Sequence, residues 1–167
     1  MLSTVYLISS LPTLSFGEKP PISMDAFMHD VSLQLSKKNA AKVEQINIQY
    51  LGKNTISRKL NSMIALQNDM RYDLELIRKA ERANSTPNIK SLSKTIVDSN
   101  PLEREELLMK LLWDALSSIE FVESFTLTEI MIYKLKLQIL ERLHSFDADK
   151  GKAVFDSVVN PQTIEIG

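Results

Sequence analysis

Apolar residues recur every three or four positions through most of the chain, and short polar stretches separate these segments. The first clear helix begins at Ser23, a favourable N-cap that follows the extended segment Lys19-Pro20-Pro21. Lys37 and Lys38 suit its carboxyl end, where the helix dipole favours cations. Its apolar positions are Met24, Phe27, Met28, Val31 and Leu35. The pattern predicts one amphipathic helix from Ser23 to about Lys38.

Two neighbouring segments are ambiguous. Residues 4–8 form an apolar run so short that it fits a strand or a buried helix equally well. Residues 40–50 predict a second helix with Val43, Ile46 and Tyr50 on one side, and Gly52 is a suitable end for it. A strand over Ile46–Leu51 is the alternative.

The longest regular pattern is a heptad seam between about Thr55 and Ala83. Its members alternate by four and three residues: Ile56, Leu60, Met63, Gln67, Met70, Leu74 and Ile77. A helix of this length extends about 40 Å. If it pairs within the chain, the polar seam residue Gln67 should face a polar group or water. The alternative is a coiled-coil dimer in which Gln67 sets the register.

The second half of the chain contains two strong helix starts. Asn84–Asn88 predicts a loop and a short helix follows. Asn100-Pro101-Leu102-Glu103 then combines an N-cap, a proline at the first helical position and a glutamate at N3. Thr126 and Glu129 form a second capping box. It predicts a helix to about Phe146, after which Asp147 or Asp149 starts a last helix.

The helix that begins after Asn100 has two distinct faces. Lys110, Asp114 and Ser117 lie on its polar side. Its apolar arc consists of Leu108, Leu111, Leu112, Ala115, Leu116 and Ile119. We expect this arc to pack into the core.

Composition supports a helical fold. The 167 residues include only 4 glycines and 6 prolines, which helices tolerate better than a β-rich chain with many tight turns. We predict an all-α fold of about six or seven helices in a bundle or irregular array. We expect residues 1–167 to form one helical domain, and an internal subdivision near residues 84–100 is the alternative.

Charge and cysteine content exclude several classes of protein. The chain has no cysteine, so disulfides, thiolate zinc sites and a cysteine nucleophile are excluded. A net charge of −1 gives no global attraction to nucleic acid or anionic membranes. The apolar stretch Val5–Ile8 is too short to span a bilayer, and no basic residue precedes it. These features favour a cytoplasmic protein without a signal peptide or membrane span.

No catalytic motif is recognisable. The sequence lacks a phosphate-binding loop, a dinucleotide-binding fingerprint, a nucleophile elbow and a zinc motif. His29 and Asp30 are adjacent in a helix, so their side chains point about 100° apart. His144 lies near Asp147 and Asp149, but without the ligand spacing of known metal sites. We therefore predict no enzyme activity, no catalytic residues, no cofactor and no metal.

The helix from Thr128 to Phe146 is apolar around most of its circumference. Its narrow polar strip consists of Lys134, Gln138, Glu141 and Ser145. Lys136 instead lies within the apolar arc, where an ammonium must pair with a carboxylate, reach solvent or contact a partner. Glu120 and Glu123 are the expected partners within the chain.

Two sequence blocks carry a family resemblance. One runs from Tyr6 to Pro12 and continues with Leu14, Phe16 and Lys19-Pro20-Pro21-Ile22-Ser23; the other runs from Tyr133 to Arg142, followed by Phe146-Asp147 and Lys150-Gly151. They resemble a bacterial family of uncharacterised proteins encoded beside the subunits of V-type (A-type-like) ATPases. That family is similar to the socket subunit of these ATPases, an all-helical, non-catalytic protein that lies between the membrane rotor ring and the central shaft.

The resemblance implies a non-catalytic accessory or central-stalk subunit of a V-type ATPase. Its partners would be protein subunits of that membrane-associated complex, on the cytoplasmic face of the membrane. Neither nucleic acid nor a small-molecule substrate is expected. Within the second block, Lys136, Tyr133 and Arg142 are the candidate interaction residues. The alternative function is a free-standing helical adaptor or regulator unrelated to a rotary ATPase.

Overall fold

The computed structural model describes residues 2–49, 51, 57–89 and 91–159. Over these residues the fold contains seven α-helices, one 3₁₀ turn at Arg58–Leu60 and no β-strand. The predicted all-α class is therefore confirmed. The helices are α1 (Leu2–Ser10), α2 (Met24–Gln34), α3 (Lys37–Gln45), α4 (Asn61–Arg82), α5 (Lys94–Asp98), α6 (Pro101–Val122) and α7 (Leu127–Val159).

The first two helices settle one ambiguity and confirm one N-cap. Residues 4–8 lie within α1, and Leu7 is fully buried, so this run is a helix and not a strand. At the start of α2, Oγ of Ser23 accepts a hydrogen bond from the N–H of Ala26 at 3.1 Å. The N-cap predicted at Ser23 is therefore confirmed.

The predicted carboxyl end of α2 is wrong. α2 ends at Gln34, Leu35 is extended, and Ser36 caps a new helix by accepting a hydrogen bond from the N–H of Asn39 at 3.2 Å. Lys37 and Lys38 therefore lie in the first turn of α3, where the helix dipole opposes cations. The local N-cap at Ser36 outweighs this weaker charge preference.

The helix predicted over residues 40–50 starts three residues earlier and ends at Gln45. Ile46 is extended, and the backbone of Ile48 is satisfied by two distant side chains. Its N–H donates to Oε1 of Gln138 at 2.9 Å, and its carbonyl accepts a hydrogen bond from Nε2 of Gln67. These long-range bonds replace the intrahelical ones, so the helix does not continue. The predicted end at Tyr50 and Gly52 lies outside the described residues.

The heptad seam packs within the chain. α4 begins at Asn61 after the 3₁₀ turn, so the long helix is shorter at its start than predicted, while Thr55 and Ile56 lie outside the described residues. The seam residues join the hydrophobic core: Leu60, Met63, Met70 and Ile77 are buried, and Leu74 is half-buried. The amide of Gln67 faces the carbonyl of Ile48, as the intramolecular hypothesis predicted.

The two capped helices of the second half begin where the sequence predicted, but α7 is longer than expected. Oδ1 of Asn100 accepts a hydrogen bond from the N–H of Glu103 at 2.9 Å. α7 continues without a break to Val159, so the predicted end near Phe146 is wrong. Aspartates are weak helix breakers, and one interior glycine costs a helix only about 1 kcal/mol. At 33 residues, α7 is about 50 Å long.

α7 occupies the centre of the fold. Helices α1, α2, α3 and α6 all pack against it. Five of its apolar side chains have no exposed surface: Ile130, Ile132, Leu135, Leu137 and Ile139. Despite the length of α7 and α6, the described part of the chain contains no helix apolar enough over a sufficient length to cross a membrane.

Leu112→Ala and Leu116→Ala should each lower the free energy of unfolding by about 2–5 kcal/mol, because each removes a buried side chain and leaves a cavity. Leu112 and Leu116 lie in the core between α6 and its neighbours. The matched control is Leu33→Ala, since Leu33 is 65% exposed and surface changes cost within about 0.5 kcal/mol. Chemical denaturation measures all three. Equal unfolding midpoints for the three variants would contradict the assignment of this arc to the core.

Candidate interaction surface

Lys136 is paired inside the fold. Its Nζ lies 2.5 Å from Oε2 of Glu120 on α6 and 4.7 Å from the ring centroid of Trp113. The residue is only 8% exposed. The carboxylate and the aromatic face together compensate for the burial of the ammonium. The partner expected from the acidic end of α6 is therefore present.

Tyr133 joins α7 to the N-terminal segment. Its hydroxyl donates a hydrogen bond to the carbonyl of Pro12 at 2.6 Å. Its ring stacks on that of Phe27, with ring centroids 5.3 Å apart. Burial raises the pKa of Tyr133 to about 12, because the low-dielectric surroundings disfavour the phenolate. The hydroxyl is thus committed to a contact within the chain.

Arg142 forms a second connection between α7 and α6. Its Nε lies 2.6 Å from Oε1 of Glu105, and its guanidinium lies 5.3 Å from the centroid of the Phe146 ring. The side chain is 40% exposed, unlike that of Lys136. Of the three candidate interaction residues, Arg142 therefore presents the most accessible charge.

The polar strip of α7 has an internal role that the sequence did not reveal. Nζ of Lys134 donates hydrogen bonds to the carbonyls of Val43 and Glu44, at 3.0 Å and 2.8 Å. Burial lowers the pKa of Lys134, and the carboxylate of Glu44 partly opposes this shift. The ammonium thus caps the carboxyl end of α3, where carbonyls lack intrahelical partners.

The most exposed apolar surface lies at the tip of the hairpin formed by α6 and α7. We define the hairpin tip as Phe121, Val122 and Phe125. These side chains are 86%, 77% and 53% exposed, respectively. Sequence reasoning missed them, although a signal was present: Phe121 lies seven residues after Asp114, on the polar face of α6. An apolar residue there indicates a surface that folding does not cover.

The backbone around the hairpin tip is held by several hydrogen bonds. Oγ1 of Thr126 donates to the carbonyl of Glu123 at 2.7 Å and also lies 3.4 Å from the N–H of Glu129, which donates to it. The carboxylate of Glu129 accepts a hydrogen bond from the N–H of Phe125. Phe125 has a positive φ of 61°, a conformation that few non-glycine residues adopt. The tip is therefore a fixed turn.

The carboxylates around the hairpin tip are engaged within the chain. Glu120 pairs with Lys136, and Oε1 of Glu123 lies 3.1 Å from Nζ of Lys59. Burial raises the pKa of Glu129; the N–H of Phe125 opposes this shift, and the Glu120 carboxylate adds to it. What the tip offers to solvent is therefore mainly apolar. Such a surface anchors a partner by hydrophobic contact.

Removing either member of the Lys136–Glu120 pair should cost about 1–3 kcal/mol of unfolding free energy, because the other charge loses a charged hydrogen bond. The double variant Lys136→Met with Glu120→Gln should recover most of that loss, since neither charge is then left alone. A double-mutant cycle in denaturant should give a coupling energy of about 0.5–3 kcal/mol. Strictly additive losses would mean that the pair contributes nothing to folding.

Tyr133→Phe should lower the free energy of unfolding at pH 7 by about 0.5–1.5 kcal/mol, because the carbonyl of Pro12 loses its donor. The raised pKa fixes the sign of the pH dependence. The contribution of Tyr133 is fully present below pH 10, its ordinary value, and is lost as pH rises through about 12. The difference between wild type and variant should therefore shrink in that range. A constant difference from pH 8 to 12 would refute the assigned role of the hydroxyl.

Comparison with known proteins identifies the family of the chain. A family model described as a protein of unknown function, DUF2764, matches residues 52–166. No curated protein and no solved structure matches the chain. The matched residues include α4, α6 and the hairpin tip. Because the match spans more than half of the sequence, the protein belongs to the DUF2764 family of proteins of unknown function.

Proposed function

We propose that this protein is a non-catalytic accessory or central-stalk subunit of a V-type ATPase and that it acts by protein–protein contact. Two considerations support the proposal. The sequence blocks at Tyr6–Pro12 and Tyr133–Arg142 resemble proteins encoded beside such ATPases. The hairpin tip offers an apolar surface that the fold itself leaves open.

The observation that carries the proposal is the exposure of the hairpin tip. Three apolar side chains, two of them aromatic, protrude within the five residues 121–125. Aromatic anchors of this kind dominate the energetics of protein–protein interfaces. Because the turn is held by the hydrogen bonds of Thr126 and Glu129, binding would cost little conformational entropy.

The hairpin behind the tip is suited to transmitting force or holding parts of a complex together. α6 and α7 are joined at two levels, by Lys136 with Glu120 near the tip and by Arg142 with Glu105 further from it. Apolar packing of Leu108, Leu112 and Leu116 fills the core beside them. A contact made at the tip would therefore be coupled to the whole helical body.

The double variant Phe121→Ser with Val122→Ser tests the proposal. Both side chains are largely exposed, so the free energy of unfolding should change by less than about 1 kcal/mol. Binding to ATPase-containing membranes should fall at least about tenfold, because the apolar anchors are lost. The measurement is affinity capture from native membranes, with and without detergent, followed by identification of the captured ATPase subunits.

The matched control is Leu33→Ser on α2, which also removes an exposed apolar side chain but lies outside the family match. Its capture of ATPase subunits should equal that of wild type. If wild type captures no ATPase subunit, the assignment to this complex is wrong. Specific capture of other proteins, lost in the tip variant, would favour the free-standing adaptor. Equal capture by wild type and the tip variant would remove the tip from the interface.

A further inference from the structure

A cavity of about 280 Å³ lies among α4, α6, α7 and the segment Ile48–Gln49. Its walls are mostly apolar: Met70, Leu74, Leu108, Met109 and Leu112. Four polar residues complete the lining, namely Gln67, Arg71, Glu105 and Arg142. An apolar pocket with a few convergent polar groups is the usual form of a small-molecule site.

Gln67 leaves one buried hydrogen-bonding atom without a partner. The residue is 6% exposed, and its Nε2 donates to the carbonyl of Ile48. Its Oε1 accepts no hydrogen bond from the described residues. A buried acceptor without a donor costs about 1–3 kcal/mol. The wall of the cavity would therefore be completed by a donor from outside the chain.

The two arginines supply the opposite character. Nη2 of Arg71 donates to the carbonyl of Gln49, and Nε of Arg142 pairs with Glu105. Each guanidinium carries five N–H donors, so both keep donors for an anion. A carboxylate is the natural partner, because its two oxygens match the guanidinium fork. The Glu105 carboxylate beside them can in turn accept from an ammonium.

We propose that this cavity binds a small apolar α-amino acid. The ligand's carboxylate would face Arg71 and Arg142, its ammonium would face Glu105 and Oε1 of Gln67, and its side chain would contact the methionine and leucine wall. The volume lies just below the range of about 300–1,000 Å³ typical of larger ligands, which suits a molecule of this size. The inference is independent of the hairpin tip and of any partner that binds there.

Calorimetric titration of the full-length protein with L-leucine tests the proposal. L-leucine should bind saturably. Two analogues each lack one charged group: 4-methylpentanoate lacks the ammonium, and 3-methylbutylamine lacks the carboxylate. Each should bind at least about tenfold more weakly, because the groups facing the missing charge are then left unpaired. Glycine, which lacks the apolar side chain, should also bind at least about tenfold more weakly.

Arg71→Gln is the first test variant, because Arg71 is exposed and its replacement should leave the fold intact. It should weaken L-leucine binding by about tenfold. Arg78→Gln is the matched control: it removes the same charge from the exposed side of α4 without lining the cavity, and it should bind as wild type does. Gln67→Met is the second variant, with its fold checked by circular dichroism. It should also weaken binding.

Three results would overturn the proposal. One is the absence of saturable L-leucine binding by the wild-type protein. Another is equal affinity for L-leucine and the two analogues, which would mean that the charged groups do not recognise the ligand. The third is equal affinity of the Arg71→Gln and Arg78→Gln variants, which would place any binding outside this cavity.

Discussion

The fold depends on the polar strip of α7 finding partners inside the protein. α7 is surrounded by other helices, so Lys134 and Gln138 must be satisfied without bulk water. Lys134 caps two carbonyls at the end of α3, and Gln138 accepts the N–H of Ile48. Both bonds fix the point at which the chain leaves α3. The central helix therefore determines where its neighbour ends, and it positions the segment that lines the cavity.

The opposite side of α7 is matched to α6 in a different way. There the Lys136 ammonium and the Arg142 guanidinium meet the carboxylates of Glu120 and Glu105. These charged contacts align the two helices along their length, while leucines of α6 fill the core beside them. Since α6 and α7 are held in register, the turn between them has a defined position. That constraint is what makes the exposed side chains at the tip a presented surface.

The sequence predicted what is encoded locally. The N-caps at Ser23, Asn100 and Thr126 were predicted correctly because a cap involves residues only three positions apart. The prediction failed at Gln45, where partners some 20 to 90 residues away replace helical bonds. The pairing of Lys136 was predictable because a buried charge requires an opposite one. The cavity was not, since four segments distant in sequence form it. Exposure of the hairpin tip was signalled only by Phe121 on a polar face.

The conformation of Phe125 separates what folding requires from what it does not. A left-handed backbone costs a non-glycine residue about 1–2 kcal/mol, and glycine would avoid that cost. Compensation by packing is limited here, because more than half of the Phe125 side chain is exposed. Phe121 and Val122 contribute even less to the core. The fold therefore gains little from any of the three apolar side chains, while their exposure favours association with other molecules. The stability of this chain alone does not account for the hairpin tip, but contact with a partner protein would.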